Sequence, residues 1–127
     1  LADHHPNALW ALKTLLQEEP GLEVVGEAVD GENLINLSEM HHPDLILIDR
    51  DLPGSPIKDL IAVLHRTVPK PTVIVMSSNP EHGRLLLKAG ADAFVSKGEQ
   101  PDWLLDILRS YRKRAQNKEV PISNKTP

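Results

Sequence analysis

The sequence predicts an α/β fold, a doubly wound parallel sheet of five strands in (βα)5 order. Three observations carry this expectation. Leu45-Ile46-Leu47-Ile48 and Val73-Ile74-Val75-Met76 are apolar at every position, as strands buried on both faces of a parallel sheet are. Between such runs, apolar residues recur at three- and four-residue spacing, the period of amphipathic helices. The connections are short and carry Pro, Gly and Asp, as in repeated βα units with right-handed crossovers.

Taken in order, Leu1-Ala2-Asp3 reads as the end of a first strand whose beginning is truncated in this chain. Pro6 suits a first helical turn, where its missing N–H costs nothing. Ala8, Leu12, Leu15 and Leu16 continue that helix until Pro20-Gly21. Leu22 to Ala28 reads as a second strand, and Asp30-Gly31 as a turn or cap. Leu34, Leu37 and Met40 mark a second helix that ends at His41-His42-Pro43. The third strand is Leu45 to Ile48, followed by the loop Leu52-Pro53-Gly54-Ser55-Pro56. Leu60, Ile61 and Leu64 mark a third helix, and Val73 to Met76 the fourth strand. Leu85 to Ala89 form a short helix closed by Gly90, a good C-terminal cap. Ala93-Phe94-Val95 is the fifth strand. Leu104, Leu105, Ile107 and Leu108 lie on a last helix that begins near Pro101-Asp102.

Composition narrows the function. The chain has 127 residues, a net charge of −4 and no cysteine. One domain fits that length. The mild acidity argues against a broad basic surface for nucleic acid. Without cysteine there is no disulfide, thiolate metal site or thiol nucleophile. No apolar run approaches the roughly 18–20 residues that span a bilayer, and the start has neither the basic nor the apolar region of a signal peptide. A cytoplasmic protein is expected. The first residue is not Met, so the chain is expected to be a piece of something longer.

In a doubly wound sheet the ligand site lies beyond the C-terminal strand ends, where strand order reverses. Polar residues fall at four such ends: Asp3-His4, Asp49, Ser77-Ser78 and Lys97. A carboxylate can accept a phosphoryl group as an aspartyl phosphate. A hydroxyl and an ammonium can hold the phosphoryl oxygens, and a divalent cation held by carboxylates can neutralise charge in the transfer.

Five stretches carry a family resemblance: Ala2-Asp3-His4-His5-Pro6, Val24-Val25-Gly26-Glu27-Ala28, Pro43 to Gly54, Val75-Met76-Ser77-Ser78, and Ala89 to Lys97. In this order and spacing they resemble the CheY-like receiver domains of two-component response regulators. The resemblance is strongest to the NarL/LuxR-type class, which is joined to a C-terminal helix-turn-helix output, and it runs from Leu1 to about Arg112. It implies that Asp49 is the phosphoacceptor, that Ser77 binds a phosphoryl oxygen and that Lys97 pairs with the phosphoryl group. It makes Phe94 the aromatic that changes rotamer on activation, together with Ser77 as the switch. Asp3 and His4 take the place of the family's acidic pair, and Asp51 supplies a backbone carbonyl to the metal. The implied cofactor is Mg2+. The implied partners are a histidine kinase, a second copy in a homodimer, and DNA through an output domain outside this chain. Residues 1–114 would be the receiver and 115–127 a polar linker.

His4 departs from that pattern, because the family usually has an acid there. Imidazole suits transition metals better than Mg2+, so a weakened or altered metal preference, with Mn2+ as the other candidate, is expected. The alternative is a degenerate receiver that serves as a phosphorylation-independent interaction or dimerisation domain.

Plainer readings stand beside these. Asp49 could simply start a turn, Ser77-Ser78 could cap a helix, and Lys97 could be a loop lysine. Phe94 is open between packing and switching. His4-His5 and His41-His42 have no third ligand at a recognised spacing, and adjacent strand residues point apart. Arg109, Arg112, Lys113 and Arg114 read as the solvated end of a helix, and Trp10 and Trp103 as core or edge packing. An enzyme is not expected, since no G-x-S-x-G, G-x-G-x-x-G or P-loop pattern is present.

Overall fold

The computed structural model describes residues 1–97 and 104–111. Trp103, Pro101-Asp102 and the tail from 112 onward, with Arg112, Lys113 and Arg114, lie outside the described residues. In chain order come α1 (Pro6–Gln17), α2 (Gly31–His41), β1 (Leu45–Asp49), α3 (Ile57–His65) and β2 (Thr72–Ser77). A 3-10 turn (Pro80–His82), α4 (Gly83–Lys88) and β3 (Ala93–Ser96) follow. Residues 104–111 form a last helix, α5.

β1, β2 and β3 are parallel neighbours in that order, with Asp49 opposite Met76 and Ser77 opposite Ser96. The two strands expected before them are reduced to bridges. Ala2 pairs in parallel with Ala28 on one side and Ile48 on the other. Backbone bonds run from Ala2 N to Leu47 O and from Asp49 N to Ala2 O, both 2.8 Å, and from Asp3 N to Ala28 O at 3.0 Å. The first segment has only three residues with which to pair. The second alternates half-buried Leu22, Val24 and Gly26 with exposed Glu23, Val25 and Glu27, so it buries one face only and its ladder is anchored at its end. Strand order therefore reverses at Ala2, between Ala28 and β1.

Alternating strand residues feed two cores. Ile46, Ile48, Val73 and Val75 meet Leu34 of α2, Leu60, Ile61 and Leu64 of α3, and Leu86 of α4. Leu47, Ile74, Met76 and Val95 meet Leu16 of α1 and Leu104 and Leu108 of α5. Each fully buried aliphatic side chain contributes roughly 1.5–3 kcal/mol.

The helix ends follow local rules. Pro6 opens α1. Asp30 caps α2 by accepting the Asn33 N–H at 2.7 Å, and His42, at φ 46°, ends it in the left-handed region. Two expectations change. Trp10 is 70% exposed, because the inward stripe of α1 runs through Leu9, Leu12 and Leu16 and leaves residue 10 off that face. Arg109 is not a merely solvated cation: its Nε and Nη2 donate to the buried Glu19 carboxylate at 2.6 and 2.8 Å. That bidentate pair ties α5 to the end of α1. Among the described residues no helix is long and apolar enough to cross a membrane.

Candidate functional site

The reversal point brings together residues that are far apart in sequence. Asp3 follows the bridge residue Ala2, Asp49 ends β1, Ser77 ends β2, and Lys97 follows β3. Their backbones are held by the sheet, with Lys97 N donating to Ser77 O at 2.8 Å. Asp3 is fully buried, and Asp49 and Ser77 are each 3% exposed. Buried carboxylates need partners, and Lys97 supplies one to both. Its Nζ lies 2.7 Å from Asp3 Oδ2 and 3.1 Å from Asp49 Oδ1.

The electrostatics follow from these contacts. Burial pushes the Asp3 carboxyl up, but the hydrogen bonds from Lys97 and from the His5 backbone outweigh it and hold it below its usual value. Burial likewise pushes the Lys97 ammonium down, and its bonds to Asp3 and Asp49 more than reverse this. Asp3 and Lys97 therefore face each other as an ion pair at neutral pH.

Ligand atoms of Asp3, His4, His5 and Asp49 all lie within 4.8 Å of one another. Sequence spacing gives the histidines no third ligand; the fold brings Asp49 to them. Nor do His4 and His5 lie in a strand, where they would point apart. The His5 N–H donates back to Asp3 Oδ1 at 3.0 Å, an Asx-type turn that folds both rings beside the carboxylates. His5 Nδ1 is 3.0 Å from Asp3 Oδ1 and His4 Nδ1 is 3.8 Å from Asp49 Oδ2. Asp51 stands apart from this group: its carboxylate, 64% exposed, pairs with Arg50 Nη1 at 3.0 Å. Two carboxylates and two imidazoles make a donor set that fits a divalent cation, with more nitrogen than Mg2+ favours. A cavity of about 350 Å3 opens at the other end of the strands, beside Leu1, Val24 and Leu45, and plays no part in this site.

Ser77 has partners that sequence reasoning missed. Its Oγ accepts the Asn79 N–H at 3.1 Å and lies 2.8 Å from His82 Nδ1. The next residue, Gly83, lies under the half-buried Phe94 ring. A Cβ built there would come within 2.9 Å of Phe94 Cδ1. His82 and Gly83 thus touch Ser77 and Phe94 in turn. The available signal was Asn79-Pro80, a turn start: Asn79 Oδ1 accepts the Glu81 N–H at 2.9 Å and caps the turn instead of either serine.

A buried carboxylate, Asp49, and a lysine, Lys97, thus meet at the reversal point of a doubly wound sheet. The chain belongs to the family described as the response regulator receiver domain, which matches residues 1–109. It is 33% identical over 129 residues to the nitrate/nitrite response regulator protein NarL of Escherichia coli K12, an alignment covering 100% of this chain and 58% of that protein. The chain therefore spans little more than half the length of that relative. Two solved structures are similar. The signal receiver domain of a NarL response regulator from Mycobacterium tuberculosis superposes with a TM-score of 0.75 at 27% identity, covering 87% of this chain and 92% of that one. The isolated receiver domain of RcsB from Salmonella enterica serovar Typhimurium, in the presence of the phosphomimetic BeF3−, gives 0.76 at 28%, covering 88% and 85%.

Proposed function

We propose that this receiver domain accepts a phosphoryl group on Asp49 from a histidine kinase and passes the signal to a transcriptional output. The observation that carries the reading is the Asp49 carboxylate, 3% exposed at the end of β1 with Lys97 Nζ 3.1 Å from its Oδ1. An Asp49 oxygen attacks the phosphorus of a phosphoimidazole. The P–O bond forms as the P–N bond breaks, and the imidazole leaves and takes up a proton. Lys97 and the Ser77 hydroxyl hold the phosphoryl oxygens, and the new contacts bias a resting two-state equilibrium. Phe94, beside Gly83, responds on the same sheet face.

Asp3, Asp49 and His4, with the Asp51 backbone carbonyl, would hold a divalent cation. Such a cation, when bound, offsets the negative charge of the phosphoryl oxygens. His4 moves the preference from Mg2+ toward Mn2+. Residues 1–114 are the receiver and 115–127 the linker, with DNA reached only through an output domain outside this chain. A homodimer of receivers is part of this reading.

The test is incubation with a small phosphodonor and either Mg2+ or Mn2+, followed by intact mass. A hydroxylamine-labile phosphoryl adduct absent from Asp49→Asn supports the reading, and no adduct with either metal overturns it. The second reading, a degenerate receiver that works by interaction alone, is favoured by His4 standing beside Asp49. It gains from that same negative result.

A further inference from the structure

The groups around Ser77 determine one another's hydrogen-bonding roles. Asn79 Oδ1 accepts from the Glu81 N–H, which fixes the amide so that its NH2 faces His82 Nε2 at 3.4 Å. An amide NH2 only donates, so Nε2 must offer its lone pair. A neutral imidazole carries a single N–H, which then sits on Nδ1, 2.8 Å from Ser77 Oγ. The opposite tautomer would set an N–H against the Asn79 NH2, donor against donor. It would also commit the Ser77 hydroxyl hydrogen to His82.

We infer that His82 is a positioning residue for Ser77: its Nδ1–H and the Asn79 N–H fill both acceptor sites of Oγ, and the hydroxyl hydrogen is left free to donate to a phosphoryl oxygen on Asp49. This rests on the proposal that Asp49 is phosphorylated, but the state of the imidazole does not. A serine hydroxyl has one donor and two acceptor positions. With both acceptor positions occupied by fixed N–H groups and Ser77 3% exposed, the oxygen acts toward the site as a donor alone. The tautomer required is the reverse of the one that free neutral histidine favours in water, so its presence is a departure that can be read directly.

The first arm is 15N NMR of the imidazoles in the unphosphorylated full chain, at a pH where they are neutral, with His82 assigned by its loss in His82→Asn. A protonated Nδ1 and an unprotonated Nε2 are expected; the reverse overturns the inference. The second arm is BeF3− binding in the presence of Mn2+. His82→Asn keeps an N–H donor and should bind within about threefold of wild type, whereas His82→Leu should lose about tenfold or more, the worth of one hydrogen bond. Equal affinities in the two variants overturn the inference. If wild type binds no BeF3−, the Asp49 proposal fails, and the NMR arm still decides the role of His82.

Discussion

Lys97 Nζ lies 2.7 Å from Asp3 Oδ2, a contact between residues 94 positions apart in sequence. It joins the first strand segment to the end of the last strand, and the same ammonium reaches Asp49 at 3.1 Å. The site is therefore part of what holds the sheet's C-terminal edge together.

Removing the ammonium should be felt in stability. Lys97→Met leaves two buried carboxylates facing each other without a cation. A loss of about 1–3 kcal/mol is expected in urea unfolding, with Asp3→Asn in the Lys97→Met background recovering part of it. An unchanged midpoint would separate Lys97 from the fold.

The pH dependence has a definite sign. The Asp3 carboxyl is held below its usual 3.8, so its contribution to stability is present above that value and is lost as pH falls through the depressed one. The Lys97 ammonium is raised above 10.5, so its contribution is complete below that value and is lost as pH rises through the raised one. The stability difference between wild type and Asp3→Asn, which leaves Lys97 paired with Asp49, measured in chelator, should then be flat through the neutral range and shrink at both extremes. A steep change near neutrality would contradict this.

Gly83 and Phe94 form a testable pair. The Cβ of Gly83→Ala would meet Phe94 Cδ1 at 2.9 Å, so the ring must move. About 1–2 kcal/mol of destabilisation is expected. The cost should vanish when Phe94→Ala is combined with it, and a double-mutant cycle reads that coupling. Additive effects would mean that the ring moves away freely.

His4 should control metal choice. His4→Asp gives three carboxylates beside the His5 imidazole, and Mg2+ affinity measured by calorimetry should rise by about tenfold or more while the preference for Mn2+ narrows. If Mg2+ affinity stays the same, His4 does not touch the ion.

Much of this was legible in the sequence, for physical reasons. Leu45 to Ile48 of β1 and Val73 to Met76 of β2 are apolar throughout because both faces are covered, and the abrupt change to Asp49 and Ser77 marks the C-terminal ends of the strands. Asp49 and Ser77 sit at those changes and were singled out there by position, while the roles expected of them came from the resemblance. The segment from Leu22 to Ala28 reads as a strand but holds only a bridge at Ala28, because pairing depends on a neighbour with three residues to offer. His5 was hidden because its approach to Asp3 depends on a turn that Asp3 itself closes. His82 was hidden because its approach to Ser77 depends on the 3-10 turn capped by Asn79. Arg109 looked solvated because its partner, Glu19, lies 90 residues away.

Phosphoryl transfer to Asp49 can be read residue by residue. After incubation with a small phosphodonor and Mn2+, borohydride converts an aspartyl phosphate to homoserine, and peptide sequencing by mass spectrometry reads the position. Homoserine at residue 49, absent in the Asp49→Asn chain, is the predicted result. Homoserine at residue 3 or 51, or at no position, would rule out Asp49 as the phosphoacceptor.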